Sequence, residues 1–176
     1  MVTASEMKKL GDEGKQAFEA GQYETAAGMF DNAAQGYASL NDSSGAAEMK
    51  NNLSVALLKL GRWQAALDVV IGTDQDFARA GDVKRQGMAL GNQAAALEAL
   101  KRWDEALAAY EQSAGFFADA GEGELRSMVL KSAAAIKLRR GKVGESALNM
   151  IGSLEAKDKP SLFERVLKFI LRFAQR

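Results

Sequence analysis

The chain has 176 residues, of which 47% are apolar and 26% are charged, a composition ordinary for one globular domain with a sizeable core. Its 23 basic and 23 acidic side chains cancel to zero net charge, so no overall field favours nucleic acid as a partner. It contains no cysteine and no histidine, which excludes disulfides, thiolate nucleophiles, imidazole bases and the usual zinc ligands. The lack of cysteine and an N-terminus, "MVTASEMKKLG", without an apolar signal core indicate a cytoplasmic protein.

Helix formers dominate the chain up to its single proline, Pro160, and residues suited to helix ends punctuate it regularly. Glycine or asparagine can take the left-handed conformation that ends a helix. Such residues recur at two boundaries of each repeating unit, namely Gly21, Gly61 and Gly141 at the first and Asn41, Gly81 and Gly121 at the second. Lys101 replaces the glycine at one of these turns. The sequence therefore predicts helices over residues 5–20, 23–40, 44–60, 63–80, 82–100, 103–120, 122–140 and 143–156.

The predicted helices repeat with a period of forty residues, since "GRWQAALDVV" from Gly61 returns as "KRWDEALAAY" from Lys101. One column of the repeat is small: Ala26, Ala66, Ala106 and Ser146. The column four residues later is large: Phe30, Val70, Tyr110 and Met150. The small column is predicted to lie where the two helices of a hairpin cross, and the large column to fill the space one turn away. The repeat units are 5–41, 42–81, 82–121 and 122–156, and the last, which departs from the pattern, is typical of a terminal repeat.

The stretch "LGDEGKQAFEAGQYETAAGMFDNA" resembles the tetratricopeptide repeat (TPR) family in its order of glycine, aromatic, alanine and aromatic positions. The resemblance covers about residues 7 to 156, and the long period is similar to the extended repeats of kinesin light chain and of rapsyn and Pins-type scaffolds. It implies an all-α fold, a right-handed α-α superhelix (TPR-like solenoid) of four helical hairpins plus a C-terminal amphipathic helix. It also implies a noncatalytic scaffold or adaptor, whose first helices line a concave groove for a peptide or helix of a protein partner.

On those first-helix faces Asn52 and Asn92 occupy equivalent places one repeat apart. A carboxamide can both donate to and accept from an extended backbone, so the two are predicted to hold the partner's main chain. The alternative is that they are exposed or intra-repeat polar residues. The full predicted partner-binding groove comprises Lys15, Asn51, Asn52, Val55, Lys59, Asn92, Lys131 and Arg139.

The family's clamp for acidic chaperone tails matches this sequence poorly. Gly11, Lys15, Met88 and Asn92 stand where that clamp needs Lys, Asn, Lys and Arg. The resemblance therefore implies no chaperone-tail partner.

No catalytic, cofactor-binding or metal-binding motif is found in the sequence. Acids at predicted helix starts, such as Asp82, Glu122 and the pair Asp104 with Glu105, are explained by capping and the helix dipole. Three single glycines inside second helices, Gly36, Gly72 and Gly115, are predicted to let neighbouring helices pack closely. We therefore expect no enzyme activity, no cofactor and no metal.

The last segment, residues 157–176, is predicted to be a separate basic amphipathic helix, because Pro160 breaks the chain and Ser161 with Glu164 forms a capping box. Its apolar arc spans about 200°, whereas a cap on the solenoid needs only about 100°. The contact residues on this arc include Leu162, Phe163, Val166, Phe169, Ile170 and Phe173. The excess apolar surface is expected to enter a groove, its own or that of a second copy in a homodimer, or to make a peripheral membrane contact. Protein contact is favoured because the segment has only about four turns and no tryptophan.

Overall fold

The computed structural model describes residues 3–139, and helices joined by short turns account for nearly all of this part of the chain. The helices are α1 (Ala4–Glu19), α2 (Tyr23–Ser39), α3 (Ser43–Lys59), α4 (Trp63–Val70), α5 (Thr73–Arg79), α6 (Val83–Ala99), α7 (Trp103–Asp119) and α8 (Gly123–Arg139). The predicted all-α repeat architecture is confirmed over these residues. The predicted helix 143–156 and the predicted C-terminal helix, 157–176, lie outside the described residues, as do Ser146 and Met150.

The helices stack largely in chain order, except that α4 and α5 each pack on α3 and α6 and hardly touch each other. One apolar core runs through the stack, from Ala17 on α1 to Ile136 on α8. This arrangement is that of a solenoid, in which each hairpin covers the apolar face of its neighbour.

The turns at the ends of α1, α2, α3, α5, α6 and α7 share one hydrogen-bonding pattern. At the end of α6, the amide of Lys101 donates to the carbonyl of Glu98, and the amide of Arg102 donates to that of Leu97, both at 2.9 Å. These are the two bonds of a Schellman motif, which requires a left-handed residue just past the helix. The left-handed residues are Gly21, Asn41, Gly61, Gly81, Lys101 and Gly121, with φ between 58° and 76°. The five glycine and asparagine positions are as predicted, Lys101 takes this conformation although it departs from the glycine pattern, and Gly141 lies outside the described residues.

Lys101 adopts this left-handed conformation at a cost in free energy, because a residue with a Cβ is strained at its φ of 62°. We expect Lys101→Gly to raise the free energy of unfolding by about 1 kcal/mol. The left-handed conformation costs a non-glycine residue roughly 1–2 kcal/mol, and the entropy of glycine in the unfolded chain offsets part of the gain. Urea unfolding followed by circular dichroism measures the change.

Gly121 offers the matched control, since it has φ 72° in the equivalent turn and open space where an added Cβ would lie. Gly121→Lys should lower the free energy of unfolding by a similar amount. A destabilising Lys101→Gly substitution would contradict this account of the turns.

The small and large columns are buried where the repeat predicts. Ala26, Ala66 and Ala106 are 0% exposed. The Ser54 hydroxyl on α3 donates to the carbonyl of Ala66 on α4 at 2.8 Å, so the backbone of α4 lies close to α3 at this column. In the large column, the ring of Phe30 lies against Gly14, where an added Cβ would be 2.8 Å from the ring.

The prediction of one continuous helix over residues 63–80 is wrong. The chain leaves the helix at Ile71 and takes a left-handed conformation at Gly72, with φ 85°, before α5 begins. The Thr73 hydroxyl donates to the carbonyl of Val70 at 2.8 Å, which satisfies one of the carbonyls at the end of α4. The break leaves Ile71 58% exposed.

The close-packing prediction for the second-helix glycines holds for one of the three. Gly36 lies directly against the side chain of Met7, so a larger residue would have to displace that flexible side chain. Gly72 and Gly115 have no atom within 4 Å of an added Cβ, so the prediction is wrong for both. Gly72 serves the backbone break instead.

Candidate protein-binding groove

A groove crosses the first helices of three successive hairpins, α1, α3 and α6. It encloses a cavity of about 650 Å³. The structure brings five of the predicted groove residues to this cavity: Lys15, Asn51, Asn52, Val55 and Asn92. Further lining side chains that sequence reasoning missed are Glu48, Phe77, Asp82, Lys84 and Arg85.

The other three predicted groove residues do not line this cavity. Lys59, Lys131 and Arg139 are exposed, Lys59 at the end of α3 and the other two on α8. Exposed lysine and arginine side chains on helices are ordinarily solvated, and no contact among the described residues connects these three.

Asn51 belongs to the floor of the groove and is only 7% exposed. Its Nδ2 donates to the carbonyl of Ala47 and to the hydroxyl of Thr73, both at 2.9 Å. Its Oδ1 accepts a hydrogen bond from Nδ2 of Asn92 at 3.0 Å. Asn51 therefore ties α3 to both α5 and α6, and this network accounts for its polar side chain in a buried place.

Asn92 is half-buried and shares its carboxamide between this network and the cavity. Its Nδ2 is used by Asn51, which leaves Oδ1 and the second amide hydrogen to meet a group in the cavity. Asn92 thus matches neither alternative considered for the two asparagines, since it is half-buried and its hydrogen bond runs between repeats.

Asn52 differs from Asn92 despite the equivalent position. Its Nδ2 is buried and has no hydrogen-bond partner among the described residues. Leaving a buried donor unpaired costs about 1–3 kcal/mol, so such a group in a native protein calls for an explanation. A group that enters the groove and accepts this hydrogen bond would supply one.

A chain of ion pairs crosses the groove from α1 to α6. Lys15 lies 3.8 Å from Asp12 on its own helix and 3.4 Å from Glu48 on α3. Glu48 also lies 3.2 Å from Arg85 on α6. The Lys8 ammonium donates a hydrogen bond to Asp12 and holds the pKa of that carboxyl below its ordinary value. Because these ion pairs are partly exposed, each adds little to the free energy of unfolding. Their main effect is to connect the side chains of α1, α3 and α6 across the groove.

Two exposed methionines occupy equivalent places on α6 and α8, one repeat apart. Met88 on α6 is 43% exposed and lines the cavity. Met128, one repeat later on α8, is 60% exposed. Methionine side chains are flexible and polarisable, and they adapt to irregular apolar partners.

Two aspartates, of which Asp82 also lines the cavity, cap the starts of helices. Asp42 and Asp82 accept hydrogen bonds from the amides of Gly45 and Arg85 at the starts of α3 and α6. Residues 3–139 contain no group of three or more acidic side chains placed to hold a metal ion. Within the same range no helix has the length and apolarity required to span a membrane.

Comparison with known proteins bears on the fold. No protein-family model and no curated protein matches the chain. A solved putative kinesin light chain with TPR-like repeats from Podosopora anserina has a TM-score of 0.77, with 17% identity over 99% of this chain and 89% of that one. BtubC (BKLC) from P. vanneervenii also has a TM-score of 0.77, with 11% identity over 98% of this chain and 74% of that one. At such low identity the likeness shows the fold alone, and it confirms the predicted TPR-like solenoid.

Proposed function

We propose that this chain is a noncatalytic protein-interaction scaffold that binds an extended peptide or a helix of a partner protein along the groove of α1, α3 and α6. The TPR-like fold supports a protein-interaction role in general. The observation that carries the specific proposal is the unpartnered, buried Nδ2 of Asn52 in the wall of this groove. The cysteine-free sequence supports a cytoplasmic location.

The groove offers complementary contacts to a polypeptide. Asn52 would donate to a carbonyl of the partner, and Oδ1 of Asn92 would accept from a main-chain amide. Met88 and Val55 would cover an apolar side chain between these two polar contacts. Lys15 and Arg85 would meet a carboxylate at the edge, in exchange for part of their present pairing with Glu48.

Asn52→Ala should weaken partner binding about tenfold, because the partner's carbonyl loses a donor worth about 1.4 kcal/mol. The partner is first captured with the full chain from the source organism, and the purified pair is then measured by titration calorimetry. Asn32→Ala is the matched control, since Asn32 is exposed on α2 and lines neither this cavity nor its neighbours. Equal affinities for wild type and Asn52→Ala would refute the assignment of this residue.

Asn92→Ala should lower both binding and stability. The substitution leaves Oδ1 of Asn51 buried without its donor, so we expect a loss of about 1 kcal/mol in the free energy of unfolding. Thermal unfolding of the variant separates this structural cost from the loss of affinity. No change in stability would mean that the Asn51–Asn92 hydrogen bond contributes nothing to the stack.

A further inference from the structure

We propose that an apolar pocket between α1, α2 and α3 is the docking site for residues 161–176 of the same molecule. This inference rests on the proposed function, because the pocket shares Lys15, Asn52 and Val55 with the partner groove. The segment would then occupy one end of the groove until a partner displaces it.

The pocket has the size and lining of a site for one aromatic ring. Its volume is about 150 Å³, and its lining residues are Lys15, Phe18, Glu19, Phe30, Asn52 and Val55. An apolar cavity of about this volume holds a benzene molecule. Phe30 forms the floor and is 2% exposed, whereas Phe18 and Val55 are half-buried.

Two polar groups of the pocket indicate which polar groups an occupant should carry next to its aromatic ring. The buried Nδ2 of Asn52 lacks an acceptor, so the occupant should carry an oxygen. Glu19 is exposed and lines the same pocket, so a cation beside the ring would meet a carboxylate. The matching ligand is therefore an aromatic side chain flanked by a basic residue and a carbonyl or carboxamide group.

Residues 161–176 contain all of these groups. Phe163, Phe169 and Phe173 fall on one predicted apolar arc, and Arg172 lies three residues from Phe169 on the adjoining face. The carbonyl groups in the last turn of the predicted helix have no partner within the helix and supply the oxygen. The arc of about 200° exceeds the stripe of about 100° that packing on one neighbour requires. One edge of the arc can therefore cover the solenoid while the other presents a phenyl ring.

The connecting chain is long enough for this contact. Residues 140–160 include the predicted helix 143–156, which is about 21 Å long at about 1.5 Å per residue. The seven remaining residues, on its two sides together, add up to about 23 Å, so the connection reaches about 44 Å. From α8 to the pocket is three helix-to-helix steps of about 8–10 Å each, or roughly 30 Å. Docking within one molecule thus needs no strained connection.

The absence of cysteine from the sequence allows a clean cross-linking test in the full chain. Val55→Cys combined with Ala174→Cys keeps all three phenylalanines and places one thiol in the pocket and one on the apolar arc. We expect mild oxidation to give mainly an intramolecular disulfide, seen as a faster non-reduced band and as a linked peptide by mass spectrometry. The control combines Ala65→Cys with Ala174→Cys, since Ala65 is exposed on α4. Its yield of intramolecular disulfide should be less than a tenth of that of the Val55→Cys pair.

A second measurement leaves the pocket unaltered. In the variant with Phe163→Leu, Phe169→Leu and Phe173→Leu, the methyl resonances of Val55 should shift, because the ring current of the docked phenylalanine is lost while those of Phe18 and Phe30 remain. The methyl resonances of Leu67 on α4 should stay in place. Unmoved Val55 resonances, or equal cross-linking in the Ala65 control, would overturn the proposal.

Other outcomes would also overturn it and would identify the alternative. Disulfide-linked dimers without the intramolecular product would assign the pocket to the segment of a second copy. Flotation of the uncross-linked chain with anionic liposomes, abolished by Phe169→Glu, would assign the segment to a membrane surface. Neither measurement involves a partner, so a loss of partner affinity in Asn52→Ala together with no cross-link would sink this inference and leave the proposed function standing.

Discussion

Replacing Phe77 with alanine should lower the free energy of unfolding by about 3–5 kcal/mol, the range measured for removing a fully buried aromatic side chain. Phe77 is 1% exposed and forms a separate buried cluster with Ala47 on α3 and Ala89 on α6. The guanidinium carbon of Arg85 lies 5.6 Å from the centre of its ring. Since both neighbours are alanines, neither can move a longer side chain into the space left by the ring.

Urea unfolding of the full chain, followed by circular dichroism, measures this loss. Phe116→Ala is the control, because Phe116 is a phenylalanine on α7 that is only half-buried, and its removal should cost distinctly less. The same cost for both variants, or a cost below about 1 kcal/mol for Phe77→Ala, would contradict the placement of α5 against α3 and α6.

Ala106→Phe should destabilise the protein by about 1–3 kcal/mol through overpacking. Ala106 lies near the start of α7 and is 0% exposed. Its equivalent one repeat earlier is Ala66, whose carbonyl accepts a hydrogen bond from Ser54 of the facing helix. A phenyl ring there must push α7 away from α6 or adopt a strained rotamer. Thermal unfolding monitored at 222 nm, with urea titration to obtain the free energy, gives the size of the effect.

Ala108→Phe tests whether position alone explains the result. Ala108 lies two residues further along the same helix and is exposed, so the same ring should cost almost nothing. A neutral Ala106→Phe would mean that the small column does not mark the crossing of the two helices.

The helix boundaries could be predicted from sequence because local chemistry sets them. A left-handed residue ends six of the described helices, and the forty-residue alignment identifies these residues even where lysine replaces glycine at position 101. The first turn of α6 follows Asp82, whose carboxylate caps it as expected, and Asp42 caps α3 from the equivalent place one repeat earlier.

The break between α4 and α5 could not be predicted in the same way. Gly36, Gly72 and Gly115 all lie inside second-helix segments, yet only Gly72 takes a left-handed conformation. The difference lies partly in contacts that are distant in sequence, since Thr73 after the break receives a hydrogen bond from Asn51, 22 residues earlier. The run Val69, Val70 and Ile71 before the glycine is the one local signal, because β-branched residues weaken a helix.

The sequence was enough to predict which helix faces line the groove, but not which side chains on those faces contact each other. Repeat spacing placed Asn52 and Asn92 in equivalent positions, and both line the cavity. It gave no means to see that Asn92 would pair with Asn51 while Asn52 stayed unpaired, since this depends on the offset between α3 and α6. The same offset brings Glu48 to Arg85, a contact between two residues that no sequence pattern singles out.

Intermolecular nuclear Overhauser effects to methyl groups test the central claim, that a partner binds in the groove of α1, α3 and α6. The methyl groups of Val55 and Met88 line this groove, whereas those of Leu67 and Ile71 line a separate cleft of about 330 Å³ beside α4, α6 and α7. With an isotope-labelled chain and an unlabelled partner, we predict cross-peaks from the partner to Val55 and Met88. Cross-peaks confined to Leu67 and Ile71 would contradict the proposal and place the binding surface on the other cleft.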